Sequence, residues 1–190
     1  MPTPSIRRAH AEDAAALSAF AASVFALGCP ETAPADLAAY IAAELPPAAF
    51  RALLADPNIV VLLAEIPAPP HSAPPSAARI VAYMVVARSS PHPHLRAATA
   101  PCEFRKLYVA QSHHGTGLAD TLMQSAFAIL EDASPCPIWL SVFSGNARAI
   151  VFYKRWGFHI VGPLEFTVGE DRQHDFLMLR DPDSDSATAG

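Results

Sequence analysis

Charge is scarce in this chain: Asp, Glu, Lys and Arg make up 16% of its 190 residues, and the formal net charge is −5. No stretch is a run of Lys and Arg, so nucleic acid is not an expected partner, whereas the acidic balance tolerates a cationic substrate. Cysteine is scarcer still. Cys29, Cys102 and Cys136 are far apart in the sequence, odd in number and form no C-x-x-C pair. That spacing argues against a disulfide framework or a zinc site and for reduced thiols, so a cytoplasmic location is expected. Long uninterrupted apolar runs are missing as well. The alanine-rich stretch 14–27 follows Arg7-Arg8 as a leader would, but Glu12 and Asp13 interrupt it and Ser18 and Ser23 dilute it. It is a poor signal peptide and too short for a membrane span, so no membrane association is expected.

What is present is apolar content, 52% of the chain, enough for a sizeable core. The expectation is one domain over residues 1–180 and a disordered polar tail over 181–190. A short strand at 5–8 precedes an acidic helical start at Glu12-Asp13 and a helix with Leu17, Phe20, Val24 and Leu27 on one face. Residues 34–56 begin as a helix at Pro34, with Leu37, Tyr40, Ile41 and Leu45 at helical spacing until Pro46-Pro47 stops it. Residues 58–66 and 79–87 read as buried strands, separated by a Pro-, Ser- and Ala-rich loop at 67–78. A second loop, 89–101, holds His92 and His94. Neither that histidine pair nor His113-His114 has a carboxylate or cysteine at zinc-ligand spacing, so all four are expected to be exposed loop residues and no metal is expected.

The most informative stretch is 103–122. A strand over 104–109 passes through a polar turn into a helix expected from Thr116 to Leu130, with Leu118, Leu122, Ala126 and Leu130 facing the sheet. Gly115 and Gly117 stand at the junction. First-turn N–H groups lack intrahelical acceptors and the helix dipole favours an anion there, so this is a phosphate-binding geometry. Next come a strand over 138–143, a turn at Ser144-Gly145-Asn146, a helix over 147–155 capped by Gly157, and strands over 158–161 and 175–179.

Two motifs carry a family resemblance. His114-Gly115-Thr116-Gly117-Leu118-Ala119 resembles the acetyl-CoA signature Q/R-x-x-G-x-G/A of the GNAT N-acetyltransferases, departing only in His114. Asn146 to Phe158 is similar to the GNAT pattern N-x-x-A-x-x-F-Y-x-x-x-G-F at every specified position, Ala149 and Tyr153 included. The opening R-x-A-x-x-x-D at 7–13 resembles GNAT proteins too. E-x-x-K-L-Y-V at 103–109 and F-x-V-G-x-D-x-Q-x-D-x-x-M at 166–178 resemble the PaiA-like polyamine acetyltransferase branch.

The resemblance implies an α/β (α+β) fold, a mixed and mostly antiparallel sheet of six or seven strands with helices on both faces. Its fourth and fifth strands, 103–109 and 138–143, are implied to splay apart. Acetyl-CoA is the implied cosubstrate, with its pantetheine arm along Leu107, Tyr108 and Val109 and its pyrophosphate at His114, Gly115, Thr116, Gly117, Leu118, Ala119 and Asp120. Asn146, Ala149 and Tyr153 are implied cofactor contacts, Asn146 being equally a helix N-cap. The implied reaction is direct attack of a small-molecule primary amine, polyamine-like or other, on the thioester. A protein or peptide N-acetyltransferase and a non-catalytic acetyl-CoA sensor are the alternatives, and a homodimer is possible in this family. Tyr153 is the expected acid for the leaving thiolate, because a phenol with pKa about 10 is protonated at neutral pH. Glu103, four residues before Leu107 and so expected on the same face of the strand, is either the base acting through water or an ion-pair partner of Arg105, Lys106 or another strand.

Overall fold

A computed structural model of the chain describes residues 3–28, 32–67, 78–95, 100–131, 136–168 and 171–182. Seven strands, β1 (Ser5–Arg8), β2 (Ile59–Ile66), β3 (Arg79–Ala87), β4 (Cys102–Val109), β5 (Ile138–Phe143), β6 (His159–Val168) and β7 (Asp171–Arg180), form one sheet in the order β1-β2-β3-β4-β5-β7-β6. Every neighbouring pair is antiparallel except β4 and β5. Helices α1 (Ala14–Gly28), α2 (Pro34–Glu44) and α3 (Pro47–Ala55) cover one face; α4 (Leu118–Glu131) and α5 (Ala147–Arg155) cover the other.

The apolar runs of β2 and β3 are buried almost throughout because helices lie on both sides of them. Val60, Leu62, Met84 and Val86 point to α4, where Leu118, Leu122 and Ala126 meet them as the helical spacing requires. Val61, Leu63, Tyr83 and Val85 point to α1 and α3, against Leu17, Ala21 and Phe50. The opening motif is structural. Arg7 of β1 donates two bonds to Asp13 at 2.7 and 2.8 Å and two to Glu65 of β2 at 3.0 and 2.9 Å, tying the helix start to the sheet edge.

Three departures have local causes. Pro46-Pro47 ends one helix and starts the next, since a proline in the first turn has no N–H to lose. α4 begins at Leu118, not Thr116, because Gly115 and Gly117 hold φ of 77° and 81°. The last hairpin is longer than the spans 158–161 and 175–179: β6 continues through Gly162-Pro163, because it is an edge strand where the missing proline N–H costs no ladder bond. Most of the 67–78 loop, residues 96–99, Cys29 and the tail from 183 onward lie outside the described residues. Cys102 and Cys136 are free thiols, and burial followed by contact with Cys136 pushes Cys102 up to about 12.

Candidate active site

The parallel pairing of β4 and β5 lasts for two residue pairs, Cys102–Ile138 and Glu103–Trp139, and then the strands part. On its other side β4 stays paired with β3 as far as Val109. Ala110 N–H donates to Val81, so by the alternation of an antiparallel ladder the N–H and C=O of Leu107 and Val109 point away from β3, into the open seam. A seam edged by the N–H groups of Leu107 and Val109 and the C=O of Leu107 accepts an extended, amide-bearing arm as an added strand would.

At the mouth of the seam the two left-handed glycines turn the chain onto α4. No atom lies within 4 Å of a Cβ built on either glycine, so the space beside the first-turn N–H groups is open to a ligand. Thr116 is held in the turn by its bond to the His113 carbonyl at 2.8 Å. His114 faces the Val109 carbonyl through Nε2 at 2.9 Å and Arg148 Nη1 through Nδ1 at 3.0 Å. Those partners assign the proton to Nε2. His114 therefore braces the turn against β4 and holds the Arg148 guanidinium near the N-terminal end of α4, supplying a cation beside the glycines. Asp120 is turned to α5, accepting from Trp156 Nε1 at 3.2 Å and Arg155 at 3.5 Å.

α5 sets Tyr153. Asn146 caps its start, Oδ1 accepting from Ala149 N–H at 3.0 Å. Its end is a Schellman motif: Gly157 has φ 81°, Gly157 N–H bonds Lys154 C=O, and Phe158 N–H bonds Tyr153 C=O, both at 3.1 Å. The accompanying apolar contact is Tyr153 with Phe158, ring centroids 5.9 Å apart. Backbone and ring of Tyr153 are thus pinned, while its hydroxyl has no hydrogen-bond partner among the described residues and its side chain lines the cleft. Burial pushes its pKa up to about 12, keeping the phenol protonated.

That cleft, about 720 Å³ in volume, runs from the seam to the face under α1–α3. Glu103 lines it, but not on the side of Leu107. Val86 pairs with Phe104 and Val85 with Lys106, so Arg105 is a bulge residue, and one extra residue reverses the alternation. Leu107 packs with the α4-side core, whereas Glu103 opens to the other side. Of the two readings left open for Glu103, the ion pair is what the structure contains: Oε2 accepts from Arg105 at 3.0 and 2.9 Å and from Ser90 Oγ at 2.7 Å. Lys106 faces the cleft half-buried, and burial lowers its pKa. The expectation of four exposed histidines fails for two. His113 is buried against Ser112, and His92 packs at a tilt against Trp139 in the cleft wall, ring centroids 4.7 Å apart, its pKa lowered by burial. Ser141 of β5, not marked by any motif, and Asp175 of β7, marked in the 166–178 motif but without a role, also line the cleft and are bonded to each other.

A family model described as an acetyltransferase (GNAT) domain matches residues 75–160. An uncharacterized N-acetyltransferase of Mycobacterium tuberculosis is 34% identical over 170 residues, which is 89% of this chain and 97% of that relative. Among solved structures, the PaiA N-acetyltransferase of Thermoplasma acidophilum in complex with coenzyme A superposes at TM-score 0.70 and 16% identity, covering 94% of this chain and 99% of that one. NAA60 of Arabidopsis thaliana in complex with a bisubstrate analogue does so with the same values. Fold and relatives together define an acyltransferase that depends on acetyl-CoA. The chain belongs to the GNAT N-acetyltransferase family.

Proposed function

We propose that this enzyme acetylates the primary amine of a small molecule, the acceptor entering from the α1–α3 side and acetyl-CoA from the α4 side. The observation that carries this reading is the shape of the acceptor half of the cleft. α2 reaches across to β6, and Gln173 of β7 donates to Thr32, just ahead of α2, at 3.3 Å. That bridge spans the acceptor side, and because the whole cleft of about 720 Å³ also takes in the acetyl-CoA seam, the share left for the acceptor is that of a small ligand, within the roughly 300–1,000 Å³ of small-molecule pockets. The apolar wall of Phe25, Phe50 and Leu53 suits the hydrocarbon part of an amine.

Leu107 would hold a pantetheine amide through its own N–H and C=O, and the α4 N-terminus with Arg148 the pyrophosphate. The Val109 N–H, free because His114 takes only the carbonyl, lies in the seam where charge develops on the thioester oxygen. Tyr153 donates to the departing sulfur, its neutrality protected by burial. A cytoplasmic setting, where acetyl-CoA is made and used, belongs to the same reading.

The test is thiol release from acetyl-CoA with a panel of spermidine, free amino acids, an aminoglycoside and short peptides with free N-termini. Turnover with one of the small amines at least tenfold above every peptide is expected. Turnover confined to peptides would overturn the small-molecule reading and leave the transferase intact.

A further inference from the structure

Asp175 stands out in the cleft wall. It is 7% exposed, its Oδ1 is buried with no hydrogen-bond partner among the described residues, and its Oδ2 accepts from the hydroxyl of Ser141. Leaving a carboxylate oxygen dry and unpaired costs more free energy than a neutral amide would and far more than an aliphatic side chain, so the fold alone does not explain the residue. Ser141, by contrast, is exposed to the cleft. It lies two residues beyond Trp139, the last residue of β5 paired with β4, so it is where the seam opens. Alternation puts it on the same side as Trp139, the side under α1–α3 from which the acceptor comes.

Resting on the amine-acetylation reading above, we propose that Ser141 and Asp175 form a proton relay: Ser141 Oγ receives a proton from the acceptor ammonium while passing its own to Asp175. Ser141 is then the catalytic residue and Asp175 the group acting through it. Bond by bond, one N–H of the ammonium breaks as an O–H forms at Ser141, and the former Ser141 proton ends on Asp175 Oδ2. The neutral nitrogen forms the C–N bond, the C–S bond breaks with its electron pair going to sulfur, and sulfur is protonated through Tyr153. The second nitrogen proton makes good the one Tyr153 gave, and Asp175 returns its proton to solvent, so one proton is released per turnover.

The competing carboxylate is Glu103, whose Oε2 is already committed to three donor atoms of Arg105 and Ser90. Asp175 carries no cation: neither of its oxygens makes an ion pair among the described residues. Burial raises its pKa and the Ser141 bond lowers it, with the net effect upward, which makes it a better proton acceptor than an ordinary aspartate. The other titratable groups sharing the cleft are Glu165 from β6, Glu103, Arg105, Lys106 and Tyr108 from β4, Tyr40 and Glu44 from α2, Tyr153 from α5 and His92 from the segment before β4.

The experiment is the pH dependence of kcat/KM for wild type, Ser141→Ala, Asp175→Asn, the double variant and Ser141→Thr, using the fastest amine from the panel. Calorimetric titration with acetyl-CoA and a melting curve accompany each protein. Expected is a loss of about 10²-fold at pH 7 in Ser141→Ala and Asp175→Asn, no further loss in the double variant, and recovery in Ser141→Thr, with acetyl-CoA affinity unchanged. The deficit should shrink at least tenfold by about pH 9.5, because an alkyl amine with pKa near 10.4 then supplies its own neutral form. A deficit that is the same at every pH, or full activity in Ser141→Ala, overturns the relay while leaving the transferase reading standing. Absence of thiol release by the wild type with any amine at any pH overturns that reading, and the relay with it.

Discussion

Tyr153 shows how much one residue is constrained by its neighbours here. Its ring packs on Phe158 and Phe152, its carbonyl closes the Schellman motif, and its hydroxyl has no partner among the described residues. Tyr153→Phe therefore removes a group that holds nothing together, and the melting temperature should stay within about 2 °C of wild type, as for a substitution costing little stability. If the hydroxyl meets the sulfur as charge develops, kcat and kcat/KM should fall together by about 10- to 10³-fold. Steady-state kinetics with the best panel amine decide this, and unchanged turnover in a stable protein would remove the acid role. Glu103→Gln tests the other carboxylate. If Glu103 only holds Arg105 and Ser90, the loss should stay below about tenfold and the pH profile should keep its wild-type shape, whereas a loss of about 10²-fold at neutral pH would make it the base.

Elements carry the lesson about legibility. The glycine turn, the strand before it and the helix after it were readable from the sequence because each is specified locally, by positive φ, by apolar periodicity and by free first-turn N–H groups. The side to which Glu103 points was not. It depends on the bulge at Arg105, created by the register of β3 against β4, and no residue type marks it. Asp175 was legible as part of a strand, but its partner Ser141 lies 34 residues away, and only the β5–β7 pairing brings them together. Arg148 likewise reaches His114 only because α5 packs beside the start of α4.

Two substitutions test the elements as such. Gly117→Glu puts a side chain and a negative charge into the open space at the α4 N-terminus, at a backbone φ of 81°. Acetyl-CoA affinity measured by calorimetry should be lost, and unchanged affinity in a folded protein would move the phosphate site elsewhere. Gly157→Ala acts from behind the site. An L-residue in the left-handed region costs about 1–2 kcal/mol, so the melting temperature should drop. Because the same motif fixes Tyr153, kcat should fall by more than acetyl-CoA affinity does.

At the scale of the whole molecule, two carboxylates give stability opposite dependences on pH. The Arg7 hydrogen bonds hold Asp13 below the usual carboxylate range, so the folded state binds fewer protons at this site than the unfolded chain. Its contribution is complete above the unfolded value of about 3.9 and is lost as pH falls through the folded value. Asp175 is shifted the other way, chiefly by burial. There the folded state binds more protons, so stability declines as pH rises from about 3.9 through the folded value. Melting temperatures of wild type, Asp13→Asn and Asp175→Asn across about pH 2 to 8 separate the two. Asp13→Asn should be less stable at neutral pH and approach wild type at the acid end. Asp175→Asn should match wild type in acid and lose the decline toward neutrality, emerging as the more stable protein at pH 7 while being the poorer enzyme. A variant that gains activity and stability together would mean that the buried carboxylate serves neither purpose, whereas the trade expected here is what a charged group kept dry for catalysis imposes on its fold.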